Sequence, residues 1–168
     1  ISALILCACN QQLPSEFNQT DQFPHIYPDY VDVTVPVNIA PLTFEMDDRS
    51  SDEIAVRYSF ADEEIICTGK KAQPDIDDWK HLTDAAKGKA IQVETYTSKD
   101  GQWTRFKPFS IYVSTDSIDA YISYRLIHPS YVAYEDLTIS QRSLENYDES
   151  VIYDNMLCTE DNNGQCKI

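Results

Sequence analysis

The stretch Glu53-Ile-Ala-Val-Arg-Tyr-Ser-Phe60 alternates between apolar and polar side chains. Its large apolar side chains occupy every second position: Ile54, Val56, Tyr58 and Phe60. Arg57 and Ser59 occupy intervening positions. A period of two residues is typical of a β-strand with one buried face, because successive side chains of a strand point to opposite faces. The stretch therefore predicts a half-buried strand.

Shorter runs of the same character lie on both sides of this strand. They span residues 30–35, 42–46, 64–68, 90–97, 103–106, 109–113, 121–127, 137–141 and 151–153. Asp100-Gly101 separates two of them and is typical of a tight hairpin, because these residue types adopt positive φ at low cost. About ten short strands with turns between them predict an all-β fold, an antiparallel two-sheet sandwich of the immunoglobulin or fibronectin kind.

One segment has the features of a helix. Residues 74–87 begin with Pro and acidic side chains, carry apolar side chains three residues apart, and are followed by Gly88. Acids in the first turn complement the helix dipole, and a Gly after the last turn favours a stop. The segment predicts one short helix inserted between strands. Its acids, Asp75, Asp77 and Asp78, are interpreted as helix-start residues in preference to calcium ligands.

The first residues are mostly apolar and end in small side chains. Leu6-Cys7-Ala8-Cys9 is similar to a lipobox, in which the final Cys becomes an acylated N terminus. Residues 1–9 are therefore interpreted as the partial signal peptide of a bacterial lipoprotein, with Cys9 lipidated and Cys7 removed; a buried apolar strand is the alternative. The lipoprotein interpretation predicts a location in the bacterial cell envelope, lipid-anchored at the periplasmic face or the cell surface, with the membrane as a partner.

Composition also divides the rest of the chain. Residues 10–28 are rich in Gln, Asn, Ser, Pro and Asp, which predicts a flexible tether. Residues 29–157 contain the predicted strands and helix and are interpreted as one sandwich domain. Residues 158–168 are polar and are interpreted as a C-terminal tail or a linker to a further domain.

Net charge excludes one class of partner. The chain has 28 Asp and Glu against 13 Lys and Arg, a net charge of -15. This excess repels phosphate backbones, so we expect no nucleic-acid binding. No apolar run reaches the length of about 18 residues that a membrane-spanning helix needs.

No pattern of catalytic or metal-ligating residues is present in the sequence. His25, His81 and His128 have no second His or Cys at metal-ligand spacing. No set of nucleophile, base and orienting residue is recognisable, so a hydrolase is the least supported function. We therefore predict no catalytic residue, no metal site and no enzymatic activity.

The cysteines leave their pairing open. With Cys9 lipidated and Cys7 removed, Cys67, Cys158 and Cys166 remain, and an odd number cannot all pair within the chain. Cys67 lies in a strand-like run and is interpreted as a buried free thiol. Cys166 would begin a C-x-x-C-H haem attachment motif if the chain continued with Cys and His. Haem c is thus a cofactor only of a longer chain, and we expect no cofactor in the chain as given.

Aromatic side chains are the candidate ligand surface. They are Trp103, Tyr121, Tyr124, Tyr131 and Tyr134, together with Tyr96. Such side chains form flat platforms that bind glycans or proteins. The alternative, which the fold class favours, is that they pack between sheets or across strands.

Three stretches resemble a family of bacterial lipoproteins that carry a TolB-like β-propeller after an N-terminal β-rich domain. These stretches are residues 26–44, residues 111–131 and Ile139–Leu144, followed by Asn155 and Cys166. The resemblance spans residues 26–166. It implies that a C-x-x-C-H-like segment and the propeller follow in a longer chain, beyond Ile168.

These observations predict a non-enzymatic, envelope-anchored module of a larger TolB-like propeller lipoprotein, acting in docking or scaffolding. Two alternatives stay open. One is a stand-alone surface lipoprotein that binds a glycan or a protein, and the other is a fragment of an electron-transfer protein with c-type haem.

Overall fold

Strands dominate residues 12–47, 51–125 and 138–154, which the computed structural model describes. In chain order they are β1 (Asn18–Gln19), β2 (Ile26–Tyr27), β3 (Thr34–Val35), β4 (Glu45–Met46), β5 (Glu53–Phe60), β6 (Glu63–Gly69), β7 (Ala90–Lys99), β8 (Gln102–Arg105), β9 (Phe109–Val113), β10 (Tyr121–Arg125), β11 (Thr138–Ser143) and β12 (Glu149–Asp154). One helix, α1 (Ile76–Ala85), lies between β6 and β7. The predicted all-β sandwich class with one short inserted helix is confirmed.

The described residues form two compact units. Of these residues, the first unit holds those up to Val37 together with those in Pro41–Asp116, and the second holds Asn38–Ala40 and those from Ser117 onward. The range 29–157, predicted as one domain, thus contributes to two units. The chain leaves the first unit for the short segment Asn38–Ala40 and then returns to it. A segment of three residues is too short to show a change of composition, so composition does not mark the boundary between the two units.

A seven-stranded sheet organises the first unit. Its main path runs β1-β8-β7-β5-β6, while β9 pairs with β7 and β3 pairs with β9. β7 is long enough to pair with β9 through its first half and with β8 through its second half. The pairs β1–β8 and β3–β9 are parallel, so the sheet is mixed and not purely antiparallel as predicted. β2 and β4 form a separate antiparallel pair.

The predicted apolar face of β5 lies in the core. Ile54, Val56 and Tyr58 are buried, whereas Phe60, near the hairpin, is half-buried. Trp79 of α1 packs on this face, with its ring 5.6 Å from that of Tyr58 and nearly perpendicular to it. The helix therefore covers the apolar side of the sheet, as its stripe of apolar side chains predicts.

Two local predictions are confirmed in detail. Asp100 and Gly101 both have positive φ, 51° and 77°, and they turn the chain from β7 into β8. Asp75 caps α1, since its side chain accepts a hydrogen bond from Asp77 N at 2.8 Å. Gly88 follows the helix with φ of 71°, a conformation that favours glycine.

The prediction of a flexible tether over residues 10–28 is wrong for its described part. β1 pairs with β8, and β2 pairs with β4. The ring of Phe17 packs edge-on against Tyr96 at 5.2 Å, and Ile26 is buried. Composition misled the prediction because a few apolar side chains suffice to hold a polar segment once neighbouring strands offer backbone partners.

The second unit contains the antiparallel sheet β10-β11-β12. Asn38 joins this unit through three hydrogen bonds. Its Oδ1 accepts from Ile118 N at 2.9 Å, and its Nδ2 donates to Ile118 O at 2.9 Å and to Glu145 Oε1 at 2.8 Å. These bonds, together with the one that Ala40 N donates to Leu144 O at 2.7 Å, hold the short segment Asn38–Ala40 in the unit.

Several predicted features lie outside the described residues. They are the signal peptide 1–9 with Cys7 and Cys9, the residues His128, Tyr131 and Tyr134, and the tail 158–168 with Cys158 and Cys166. Within the described residues, no helix has the length and apolar character needed to cross a bilayer.

Candidate functional site

The described members of the predicted aromatic surface do not share one face. Trp103 lies on β8 in the first unit, whereas Tyr121 and Tyr124 lie on β10 in the second. Tyr121 and Tyr124 are three positions apart on one strand, so their side chains point to opposite faces. Tyr96 is buried in the first unit, which agrees with the packing alternative. The prediction of a single platform therefore has no support in the described residues.

Trp103 lines a shallow pocket of its own. The pocket has a volume of about 340 Å³ and is also lined by Glu16, Phe17, Asn18 and Gln102, among others. Trp103 is half-buried there, and its neighbours offer carboxylate and amide groups. The residues before β1 thus help to form this pocket, a role that the tether prediction missed.

A charged cluster lies on the face of the seven-stranded sheet opposite the core. We call Arg57, Glu94, Tyr96 and Arg105 the Glu94 cluster. Glu94 Oε1 accepts hydrogen bonds from Arg57 Nη2 at 2.8 Å and from Arg105 Nη2 at 2.9 Å. Glu94 Oε2 accepts from the Tyr96 hydroxyl at 3.0 Å. Strand register causes this convergence, because Arg57 pairs with Glu94 and Tyr96 pairs with Arg105.

The electrostatics of the Glu94 cluster favour a fixed protonation state. Burial by itself raises the pKa of Glu94, but hydrogen bonds from Arg57 and Tyr96 and the charges of both arginines outweigh it, so the pKa lies below its ordinary value. Burial and the bond to Glu94 raise the pKa of Tyr96. A proton-transfer residue needs a pKa near the working pH. The cluster is therefore suited to holding three strands together, not to acid–base chemistry.

The second unit exposes apolar side chains on its sheet. Ile122 is 50% exposed and Val151 is 53% exposed. The register pairs Tyr124 with Ser140, and Ser140 with Val151, so Ile122, Tyr124 and Val151 lie on the same face of β10-β11-β12. We call these three residues the apolar patch.

Polar residues of the middle strand, β11, lie between members of the apolar patch, since Ser140 pairs with both Tyr124 and Val151. Arg142 pairs with Ile122 on one side and with Glu149 on the other. A hydrogen bond between the hydroxyl of Tyr124 and Glu149 raises the pKa of Tyr124. Protein–protein interfaces combine exposed apolar side chains with hydrogen-bonding and charged groups, and this sheet face offers both. The sequence contained part of this signal, since Ile122 and Val151 are apolar residues within predicted strands.

The described cysteine and the possible metal ligands have simple explanations. Cys67 is buried and unpaired, which confirms the interpretation of a buried free thiol. Its burial raises its pKa to about 11, so the reactive thiolate is scarce at neutral pH. Among the residues that the structure describes, no group of His, Cys, Asp and Glu side chains could hold a metal ion.

The resemblance of residues 26–44 and 111–131 to TolB-like lipoproteins stays a prediction, and so do the envelope location and the haem alternative, which depends on Cys166. Among the described residues, the two groups of side chains whose arrangement bears most on function are the Glu94 cluster and the apolar patch. Neither a scan against protein-family models nor a search of curated proteins finds a match to the chain.

Proposed function

We propose that the chain is a non-enzymatic docking module of the bacterial cell envelope, anchored through a lipid on Cys9. The observation that carries the docking role is the apolar patch, whose Ile122 and Val151 are each about half exposed on the two outer strands of one sheet face. Burying exposed apolar area of this kind against a partner removes it from water, which stabilises the complex.

The partner is a protein surface that offers both apolar and polar groups, because Ser140 and Arg142 lie between the apolar side chains. Arg142 and Glu149 carry opposite charges beside the patch, so a partner with its own acid and base at matching positions binds in one orientation. The resemblance of residues 26–44 and 111–131 suggests that this partner is a TolB-like β-propeller in a larger lipoprotein.

Site-specific cross-linking tests the docking role. A photoreactive phenylalanine analogue is placed at Ile122 or Val151 of the full-length gene product in its own cell envelope. We expect both positions to cross-link to the same partner domain, identified by mass spectrometry, because both lie on the apolar patch.

Ser123 is the matched control for this experiment. It is exposed and adjacent to Ile122, but it points to the opposite face of β10. Equal cross-linking from Ser123 and Ile122, or no cross-linking from Ile122 and Val151, would contradict docking through the patch.

The lipid anchor has a separate test. Cys9→Ser is expected to move the full-length protein from the membrane fraction to the soluble fraction and to abolish labelling with palmitate, because the acyl chains are what hold the protein to the bilayer. Cys7→Ser is the control and is expected to leave both measurements unchanged. Retention of the Cys9→Ser protein in membranes would show that the lipid does not anchor it.

A further inference from the structure

β6 forms one edge of the seven-stranded sheet. It pairs with β5, and no other strand within the described residues pairs with it. A free edge carries backbone N–H and C=O groups that can pair with a strand from another chain. β6 is therefore a potential site of strand addition.

The hairpin between β5 and β6 shows which backbone groups face this edge. Its loop, residues 61–62, connects the paired residues Phe60 and Glu63. The two residues that flank a two-residue hairpin loop exchange backbone hydrogen bonds with each other. Hydrogen-bonded pairs then recur at every second position along the two strands. The residues of β6 that direct N–H and C=O groups away from β5 are consequently Glu64, Ile66 and Thr68.

A hydrogen bond elsewhere in the sheet gives the same result. Phe106 N donates to Thr95 O at 2.9 Å, so Thr95 bonds toward β8. Its neighbour Glu94 then bonds toward β5, where it pairs with Arg57. The residue after Arg57 bonds toward β6 and pairs with Ile65. The residue after Ile65 therefore faces the free edge.

Open space lies beside this edge. A groove of about 980 Å³ is bordered by residues 64–68 of β6 on one side and by residues between 70 and 78 on the other. An extended strand of five residues is about 17 Å long, which matches the segment of β6 that borders the groove.

The charges at the two ends of β6 have opposite sign. Asp62, Glu63 and Glu64 are exposed at its start, and Lys70 and Lys71 are exposed just beyond its end. Edge strands are commonly protected by scattered charges. Here the charges are sorted by sign, so a strand of the same sequence is attracted when antiparallel and repelled when parallel.

The contacts of Glu64 and Lys70 within the chain leave both charges able to act on a partner. Glu64 is 3.8 Å from Arg57, which is already bonded to another carboxylate, and the Glu64 side chain is 54% exposed. Lys70 Nζ donates to the carbonyl oxygen of Asp52, a neutral group that leaves the positive charge in place.

We propose that β6 is a self-association edge, to which a second copy of this chain adds its own β6 in antiparallel orientation. Ile66 then faces the partner's Ile66, and Glu64 faces the partner's Thr68. In the same register Asp62 faces the partner's Lys70, which is also diagonal to Glu64. The outward backbone groups of both copies are paired, and the interface is a two-fold one in which each contact occurs twice.

This inference goes beyond the docking role, since β6 belongs to the first unit and the apolar patch to the second. The association is expected to be weak, with a Kd of about 1–100 μM, because pairing of one short strand buries less area than a standard interface. Sedimentation equilibrium of the full chain under reducing conditions is expected to show a monomer–dimer equilibrium. Ile122→Asp is expected to leave it unchanged, although the same variant should abolish docking.

Charge-swapped variants test the orientation and register. Lys70→Glu places an acid opposite the partner's Asp62, and the pair Asp62→Lys and Glu64→Lys places bases opposite and diagonal to the partner's Lys70. Each variant alone is expected to dimerise at least about tenfold more weakly, because like charges oppose each other at two symmetric places. A mixture of the two is expected to regain dimers that contain one copy of each, at near the original affinity.

Amide hydrogen exchange provides a second, residue-level measurement. As concentration rises, the amide of Ile66 is expected to gain protection, whereas that of Ile65 is already bonded to β5 and changes little. A chain that stays monomeric at all concentrations, a dimer indifferent to the charge swaps, or a dimer with no added protection at Ile66 would each overturn the proposal.

Discussion

Trp79→Ala is expected to lower the free energy of unfolding of the first unit by about 3–5 kcal/mol. Trp79 is fully buried, and its ring lies 5.6 Å from that of Tyr58 in an edge-to-face arrangement. Tyr58 packs in turn against Phe44, with ring centroids 6.4 Å apart. Removing the indole takes away the largest side chain that α1 buries against the sheet and leaves a cavity that the paired strands cannot close.

Urea denaturation followed by circular dichroism measures this loss. Trp103→Ala is a matched control, since it removes the other Trp of the chain from a half-buried position at the surface. The control is expected to lose about 1 kcal/mol or less, because the Trp103 side chain is only partly buried and less of its apolar area is removed from water on folding. Similar losses for the two variants would show that α1 is not held to the sheet through Trp79.

Glu94→Ala is expected to destabilise the first unit by about 2–3 kcal/mol. The side chain of Glu94 is only 13% exposed and accepts hydrogen bonds from Arg57 and Arg105. Without the carboxylate, two half-buried guanidinium groups are left close together with no counter-charge between them. The magnitude is below that of a fully buried pair because both arginines retain contact with solvent.

The effect of Glu94 is expected to depend on pH. Its pKa in the folded state lies below the ordinary value of 4.5, so the folded state binds the proton less readily than the unfolded state does. The stabilisation is therefore complete above the unfolded pKa and is lost as the pH falls through the folded pKa. Denaturation of the wild-type and Glu94→Gln proteins is expected to differ at pH 7 and to converge in acid.

Glu64→Gln provides the comparison for this pH dependence. Glu64 is 54% exposed and 3.8 Å from Arg57, so its replacement is expected to change the stability by less than about 0.5 kcal/mol at any pH. A difference between wild type and Glu94→Gln that persists unchanged in acid would contradict the role of the Glu94 charge.

Local patterns were sufficient to predict most strands and the helix. β5 and β9 have the predicted bounds, residues 53–60 and 109–113, and α1 lies within the predicted residues 74–87. Each of these elements has its own signal, such as alternation on β5 or a cap at Asp75, which acts through neighbours in sequence. Such signals do not depend on which strands later become partners.

The tether prediction failed because of long-range pairing. β1 has no alternating pattern, and it forms because β8 offers backbone partners and Tyr96 offers a surface for Phe17. The spacing of Tyr121 and Tyr124 did contain usable information, since residues three apart on one strand cannot share a face.

The sequence by itself determined the fold class, the inserted helix, the hairpin at Asp100-Gly101 and the half-buried face of β5, because propensity and periodicity are properties of short segments. Only the tertiary structure decided the division into two units, the convergence of Arg57 and Arg105 on Glu94, and the place of β6 at an edge among the described strands. Arg57 and Glu94 are 37 residues apart. Their contact depends on strand register, which many segments establish together and no single segment encodes.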